Sequence, residues 1–213
     1  MSRILPATRP GSGKLKTIST GIHMIRAAAI IFTCLVLASQ PLQAVTINGA
    51  DIPDSISLPD NGTQLVLNGA GVREKFFMDI YVGALYLEKS MHDPDAILAD
   101  TGYASVLMHF IYSEVDRNKI TAGWTDGLTA NLPSARMQAI RPRLEKFNTL
   151  FRTVVKGDVI RIDYVPDSGT QVRINGEWRG SVEGNDFFRD LLRIWLGTEP
   201  ISKSLKHDML GLD

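Results

Sequence analysis

Cysteine is nearly absent from this chain: one in 213 residues, Cys34, and it lies in the opening segment. A domain starting at Val45 carries none, so disulfides and thiol chemistry are excluded from it, which suits an oxidising compartment. Asp and Glu are missing from residues 1–44, where Arg3, Arg9, Lys14, Lys16 and Arg26 are the charged residues. Paired metal-ligand spacing is missing too. His23, His92, His109 and His207 are scattered, so no metal site is expected. A Gly-x-Ser-x-Gly elbow and a phosphate loop are both absent, and Gly69-Ala-Gly71-Val-Arg-Glu74 fails a dinucleotide fingerprint at its last position. Hydrolase, kinase and dehydrogenase readings lose their support, and no cofactor is implied. No linker, internal repeat or low-complexity tract divides the chain after residue 45, so 45–213 is expected to be a single domain.

What the first 44 residues do have is a targeting composition. Met24-Ile-Arg26 forms a basic start, Ala27 to Leu37 an apolar core, and Ser39 to Ala44 a polar end closing on a small residue. That core is well short of the roughly twenty residues a permanent membrane helix needs. The expectation is a cleaved signal peptide engaging the export machinery, with Val45 as mature start and a soluble, periplasmic or secreted domain. An uncleaved membrane anchor is the alternative. Leu42, third before the cut, blurs the exact site, and Met24 is a second candidate start. Ile31-Phe32-Thr33 ahead of Cys34 does not suit a lipidation site. Removing the segment takes five of the 23 basic residues, leaving 18 against 23 acidic, a net charge of about −5. Such a surface gives nucleic acid no grip. Oligomeric state is left open.

The organising stretch is Leu65 to Glu88, LVLNGAGVREKFFMDIYVGALYLE. It reads as a strand, a glycine-rich turn, and a long second strand greasy on both faces. Phe76, Met78, Ile80, Val82, Ala84 and Tyr86 alternate on one side, with Phe77, Tyr81, Leu85 and Leu87 on the other. A strand of that kind must be covered on both sides. Gly83 leaves a gap for a ligand or a close-packed helix. Arg73 stands just ahead of the apolar run. Composition alone makes it a solvated or locally paired charge beside Glu74 and Lys75. A guanidinium at the mouth of an apolar cleft can instead grip a carboxylate or oxyanion with two parallel hydrogen bonds, which lysine cannot reproduce.

Around this stretch, Val45–Ile47 and Ile52–Ser57 suggest an edge hairpin turning at Asn48-Gly49. Asp93 and Pro94 open a short helix to Ala99, and Ala104 to Ile111 is a strand with His109 half-buried. Ser113-Glu-Val-Asp116 resembles a capping box for a helix with Ile120, Trp124 and Leu128 inward. Gly123 and Gly127 strip one side of that helix, for close packing on the sheet or as a cleft wall, and Lys119 points to solvent or cleft. Residues 134–154 are helical, with Pro142 splitting them. Strands at 158–165, 171–174 and 177–182 follow, the last two joined at Asn175-Gly176, then helices at 185–196 and 202–210. Antiparallel strand runs with helices grouped apart make an α+β fold rather than a parallel α/β one.

GAGVR followed by FFMDIYVGALYLE resembles the core signature of the chalcone isomerase-like family, and more narrowly its bacterial exported branch. SVLMHFIYSEVDRNKITAGW and the late WLGTEPISKSLK add to the match. The resemblance implies an open-faced β-sandwich, mainly an antiparallel sheet backed by a helical layer. Members isomerise chalcones, bind fatty acids, or have no assigned activity. Against the catalytic members, Tyr81 falls where they have threonine, Lys119 keeps their lysine, Asp116 replaces tyrosine and Gly123 replaces asparagine. Tyr112 takes the tyrosine role only if the alignment slips by four residues, and the late helix offers no Ser or Thr. Arg73 with Tyr81, Lys119 and Tyr112 makes an incomplete catalytic set, with no confident catalytic residue, but an adequate carboxylate anchor. The leading expectation is therefore an exported binding protein for an apolar small acid such as a fatty acid. An intramolecular lyase of the chalcone isomerase type, acting on a flavonoid-like or other substrate, and a non-catalytic interaction module stand as alternatives.

Overall fold

The computed structural model describes residues 44–212. Of the expected targeting segment, all but Ala44 lies outside the described residues. The first elements are strands: β1 (Ala44–Ile47) and β2 (Ala50–Pro53) form a hairpin of their own, then β3 (Ser55–Ser57), β4 (Gln64–Lys75) and β5 (Met78–Leu87). After the short helix α1 (Pro94–Ala99) come β6 (Ala104–Phe110), β7 (Glu114–Val115), α2 (Arg117–Asn131) and α3 (Ser134–Asn148). The chain closes with β8 (Val154–Val155), β9 (Val159–Val165), β10 (Gly169–Ile174), β11 (Glu177–Val182), α4 (Asn185–Leu196) and α5 (Lys203–Met209). Seven strands make one sheet in the order β11-β10-β9-β6-β5-β4-β3, every neighbouring pair antiparallel. The fold is α+β, a large antiparallel sheet with its helices gathered on one face.

Two cores sandwich the sheet, as the two-sided pattern of β5 requires. Leu85 and Leu87 join Trp124, Phe147, Phe188 and Trp195 beneath the helices. Val82, Ala84 and Tyr86 point the other way, onto Ala50, Ile52 and Leu58 of the β1–β2 hairpin and the loop after β3. Burying a side chain of this size contributes about 1.5–3 kcal/mol. His109 is half-buried on this second face, and desolvation lowers its pKa against the pull of Asp51.

Four local expectations are corrected. The glycine-rich stretch is not a turn. β4 runs straight through Gly69 and Gly71, because a Cβ at Gly69 would stand 2.1 Å from the backbone oxygen of Asp208 and one at Gly71 2.1 Å from the Asp208 side chain. These glycines admit α5 onto the strand. The real turn is Phe76-Phe77, both at positive φ (51° and 63°). Second, the alternation along β5 breaks at Ile80, where Arg73 pairs with Tyr81 but Glu74 with Asp79. That one-residue bulge turns Met78 and Ile80 to the helix side with Tyr81, and sends Asp79 across to Asn48, whose Nδ2 donates to its Oδ2 at 2.8 Å. Third, Ser113 does not cap a helix. Glu114 and Val115 pair with β8, and Asp116 is the cap, accepting from the Asn118 N–H at 2.8 Å. Fourth, α3 continues through Pro142 and ends at Asn148. Pro142 and Gln138, whose carbonyl it leaves unpaired, are both exposed, so water can satisfy that oxygen.

Candidate functional site

The bulge at Ile80 builds the site. Its carbonyl oxygen accepts from both Ile111 N–H (3.0 Å) and Tyr112 N–H (3.1 Å), which ends β6 and steers Tyr112 outward. Opposite the bulge, Arg73 stands across from Tyr81, with its Cζ 5.7 Å from the centroid of that ring. From the helix layer, α2 is held against the end of α3 and the loop after it by Arg117, which donates to the Phe151 and Asn148 carbonyls, each at 3.0 Å. Its Ile120, Trp124 and Leu128 enter the core, leaving Lys119 and Gly123 facing the space beside β5.

That space has two parts. An inner recess of about 60 Å³ is lined by Arg73, Ile80, Tyr81, Phe110, Lys119 and Trp124, among others. It shares Arg73, Ile80, Val115, Lys119, Gly123 and Ile201 with an outer cleft of about 690 Å³, to which Phe76, Met78 and Tyr112 also contribute. The recess is too small for more than a head group. The cleft falls within the range of small-molecule sites, roughly 300–1,000 Å³.

Hydrogen-bond donors point to what the recess suits. The Nε atom of Arg73 and the Nε1 atom of Trp124 are buried without a partner among the described residues. Neither Arg73 nor Lys119 joins an ion pair among those residues. A buried donor left unmade costs about 1–3 kcal/mol, so each asks for an acceptor. Tyr81 supplies one more donor. Its hydroxyl accepts from the Trp195 indole N–H at 3.0 Å and keeps its own proton to give. Burial raises the Tyr81 pKa, more than the Arg73 charge and the Trp195 hydrogen bond lower it, so the phenol stays neutral. Acidic Glu114, Asp126 and Glu199 line only the outer cleft. The arrangement can hold an anionic head group with N–H and O–H donors, and offers apolar wall to whatever is attached.

All four candidate residues come to this space: Arg73, Tyr81 and Lys119 at the recess, Tyr112 at the cleft. Asp116 does not, since it caps α2 instead. The glycine pair divides its labour. Gly127 packs on α4, where a Cβ would meet Ile194 at 2.9 Å, whereas a Cβ at Gly123 would meet nothing within 4 Å. The gap at Gly83 is filled by Leu205 of α5, 3.3 Å from where its Cβ would be. The two tryptophans were missed as polar participants. Each carries an indole N–H at an inward helical position, the one signal available, but spacing marks them only as core.

A family model described as chalcone isomerase-like matches residues 44–211. Among solved structures, that of a fatty-acid binding protein from Arabidopsis thaliana is similar, with a TM-score of 0.59 at 18% identity over 79% of this chain and 96% of that one. No curated protein sequence matches.

Proposed function

The chain belongs to the chalcone isomerase-like family, and from that premise we propose that it binds an apolar small acid, a fatty-acid-like carboxylate headed by Arg73. The observation that carries this reading is a guanidinium Nε buried without a partner among the described residues, in the lining of an apolar space. The carboxylate sits in the recess against Arg73, with Tyr81 and the Trp124 indole as further donors. The tail runs out along Met78, Ile80, Val115 and Ile201 in the outer cleft. Burying a dozen methylenes contributes roughly 10 kcal/mol before the cost of association, and a charge-assisted hydrogen bond about 1.5–3. The tail gives affinity and the arginine orientation. That a structurally similar plant protein is named for fatty-acid binding agrees with this choice of ligand. The lyase alternative lacks side chains where it needs them: Asp116 is engaged as a helix cap and Gly123 has none to offer.

Export belongs to the same proposal. It rests on the composition of residues 1–44. A cut after Ala44 leaves Val45 free to pair with Ile52 in β1–β2. N-terminal sequencing of protein recovered from the periplasm or medium should begin at Val45, and an intact N-terminus there would overturn cleavage.

Native mass spectrometry of the purified protein, with displacement of a fluorescent polyene fatty acid, tests the ligand. A co-purifying acid and saturable displacement are expected. An empty protein that displaces nothing would leave an interaction module as the better account.

A further inference from the structure

Three hairpins in this fold turn through two residues in left-handed backbone. Asn48-Gly49 has φ of 46° and 79°, Asn175-Gly176 has 54° and 79°, and Phe76-Phe77 has 51° and 63°. Asn-Gly is what such a turn favours, because only small residues adopt positive φ without a steric penalty. Two adjacent phenylalanines are the outlier. Nothing within the described chain compensates them. Phe76 is 80% exposed, Phe77 104%, and Met78 beyond them 40%, the largest run of bared apolar side chains among the described residues. The strain therefore points to something outside the described residues that covers the tip.

We infer that the Phe76-Phe77-Met78 tip inserts into the surface of a lipid bilayer, bringing the mouth of the cleft against it. Shape argues for lipid over protein, since three residues on a convex tip are far fewer than the roughly 20–30 a side of a stable protein interface. Continuity argues the same way. Phe76 and Met78 also line the outer cleft, so an apolar surface that receives the tip meets the cleft entrance. Charge sets the character of the contact. Lys75, its Nζ 5.6 Å from the Phe76 ring centroid, is offset by neighbouring Glu74, and Asp79 is already tied to Asn48. Around the cleft mouth Arg73, Lys75 and Lys119 are matched by Glu114, Asp126 and Glu199, so insertion is aromatic and only weakly dependent on salt or anionic lipid, unlike a polybasic patch. Insertion of the tip does not depend on which ligand the cleft holds, whereas transfer of an acid rests on the acid-binding reading proposed above.

The test uses the full chain with vesicles of phosphatidylethanolamine and phosphatidylglycerol. A Phe77→Trp variant places an indole at the tip. Its added emission should shift to the blue on vesicles and be quenched by lipids brominated in the acyl chain, with little change on raising salt. An introduced indole that stays in water overturns the inference. The variant Phe77→Gly, at the tip residue that does not line the cleft, gives the second turn position the residue its positive φ prefers. Its Tm should rise while the cleft binds a fluorescent fatty acid as before in the absence of vesicles, and transfer of that acid from vesicles should slow at least tenfold. Unchanged transfer overturns the inference. So does a concentration-dependent dimer that Phe77→Gly abolishes, which would make the tip a contact between copies, and so does an equal loss of acid affinity without vesicles, which would make it a lid.

Discussion

At the scale of single residues, Arg73 and Tyr81 separate binding from stability. Arg73 is half-buried and has no ion-pair partner among the described residues, so its removal leaves the fold intact. Arg73→Ala should weaken acid binding by roughly tenfold to a hundredfold, the equivalent of one charge-assisted hydrogen bond, with an unchanged urea midpoint. Arg73→Lys should recover little of that loss, because an ammonium cannot fork onto a carboxylate. Affinity in both variants equal to that of the unsubstituted protein, by displacement titration, would remove the arginine from the site. Trp195→Phe should do the reverse. It strips the donor from the buried Tyr81 hydroxyl and should cost about 1–3 kcal/mol in urea unfolding. Tyr81→Phe on top of it should cost less than on its own, a coupling that a double-mutant cycle measures. Arg73 was legible because a charge ahead of an apolar run is conspicuous. Its aim was not, since the side chain faces the recess only because the bulge at Ile80 sets Tyr81 opposite it.

At the scale of elements, legibility followed local chemistry. α4 is bounded at Asn185 and Leu196 as its apolar spacing requires, and the hairpin turns at Asn48-Gly49 and Asn175-Gly176 lie where those residues predict them. The misreadings share a cause, in that a neighbour distant in sequence overrode the local signal. Gly69 and Gly71 look like a turn and serve instead as the seat of α5, with Asn68 between them and Leu67 bulged so that its Nδ2 donates to the Met209 carbonyl at 2.9 Å. Phe76-Phe77 looks like strand and is the turn. On α2 the same contrast can be measured. Gly123→Ala should stabilise by about 0.5–1 kcal/mol, since its Cβ enters open space and helix propensity improves. Gly127→Ala drives a Cβ into the two γ carbons of Ile194, and overpacking of about 1–3 kcal/mol should outweigh the roughly 1 kcal/mol of propensity. Opposite signs in thermal unfolding are expected, and matching signs would deny the division between cleft wall and helix contact. A larger side chain, Gly123→Leu, should keep the fold and block the cleft, cutting acid affinity at least tenfold.

Over the whole molecule, the helical layer is pinned to itself and to the sheet by carboxylates, and that sets how the protein meets acid. Hydrogen bonds from Arg143, and then Arg136, hold Asp186 well below the usual carboxylate range despite some desolvation, joining α3 to α4. Burial opposes ionisation of Asp158, yet donors from Arg152, Asn175 and the Val155 N–H together bring it to about 2, joining the β7–β8 ribbon to the β10–β11 turn. Both are carboxylates depressed from an unfolded value of about 3.9, so the stability they supply is complete above that pH. It drains away as pH falls towards about 2, where Asp158 takes up its proton in the folded state. Asp163 runs the other way, because burial raises its pKa more than Arg161, Ser105 and Arg173 lower it, and protonating it relieves a cost. Urea midpoints should therefore dip modestly below about pH 6.5, where the unfolded imidazole takes up a proton that the desolvated His109 resists, and fall more steeply between about 4 and 2. Asp186→Asn should flatten part of that fall while lowering the neutral-pH midpoint. An acid limb that the substitution leaves unchanged would mean that α3 and α4 are held together by the packing of Phe147 on Phe187 rather than by their charges.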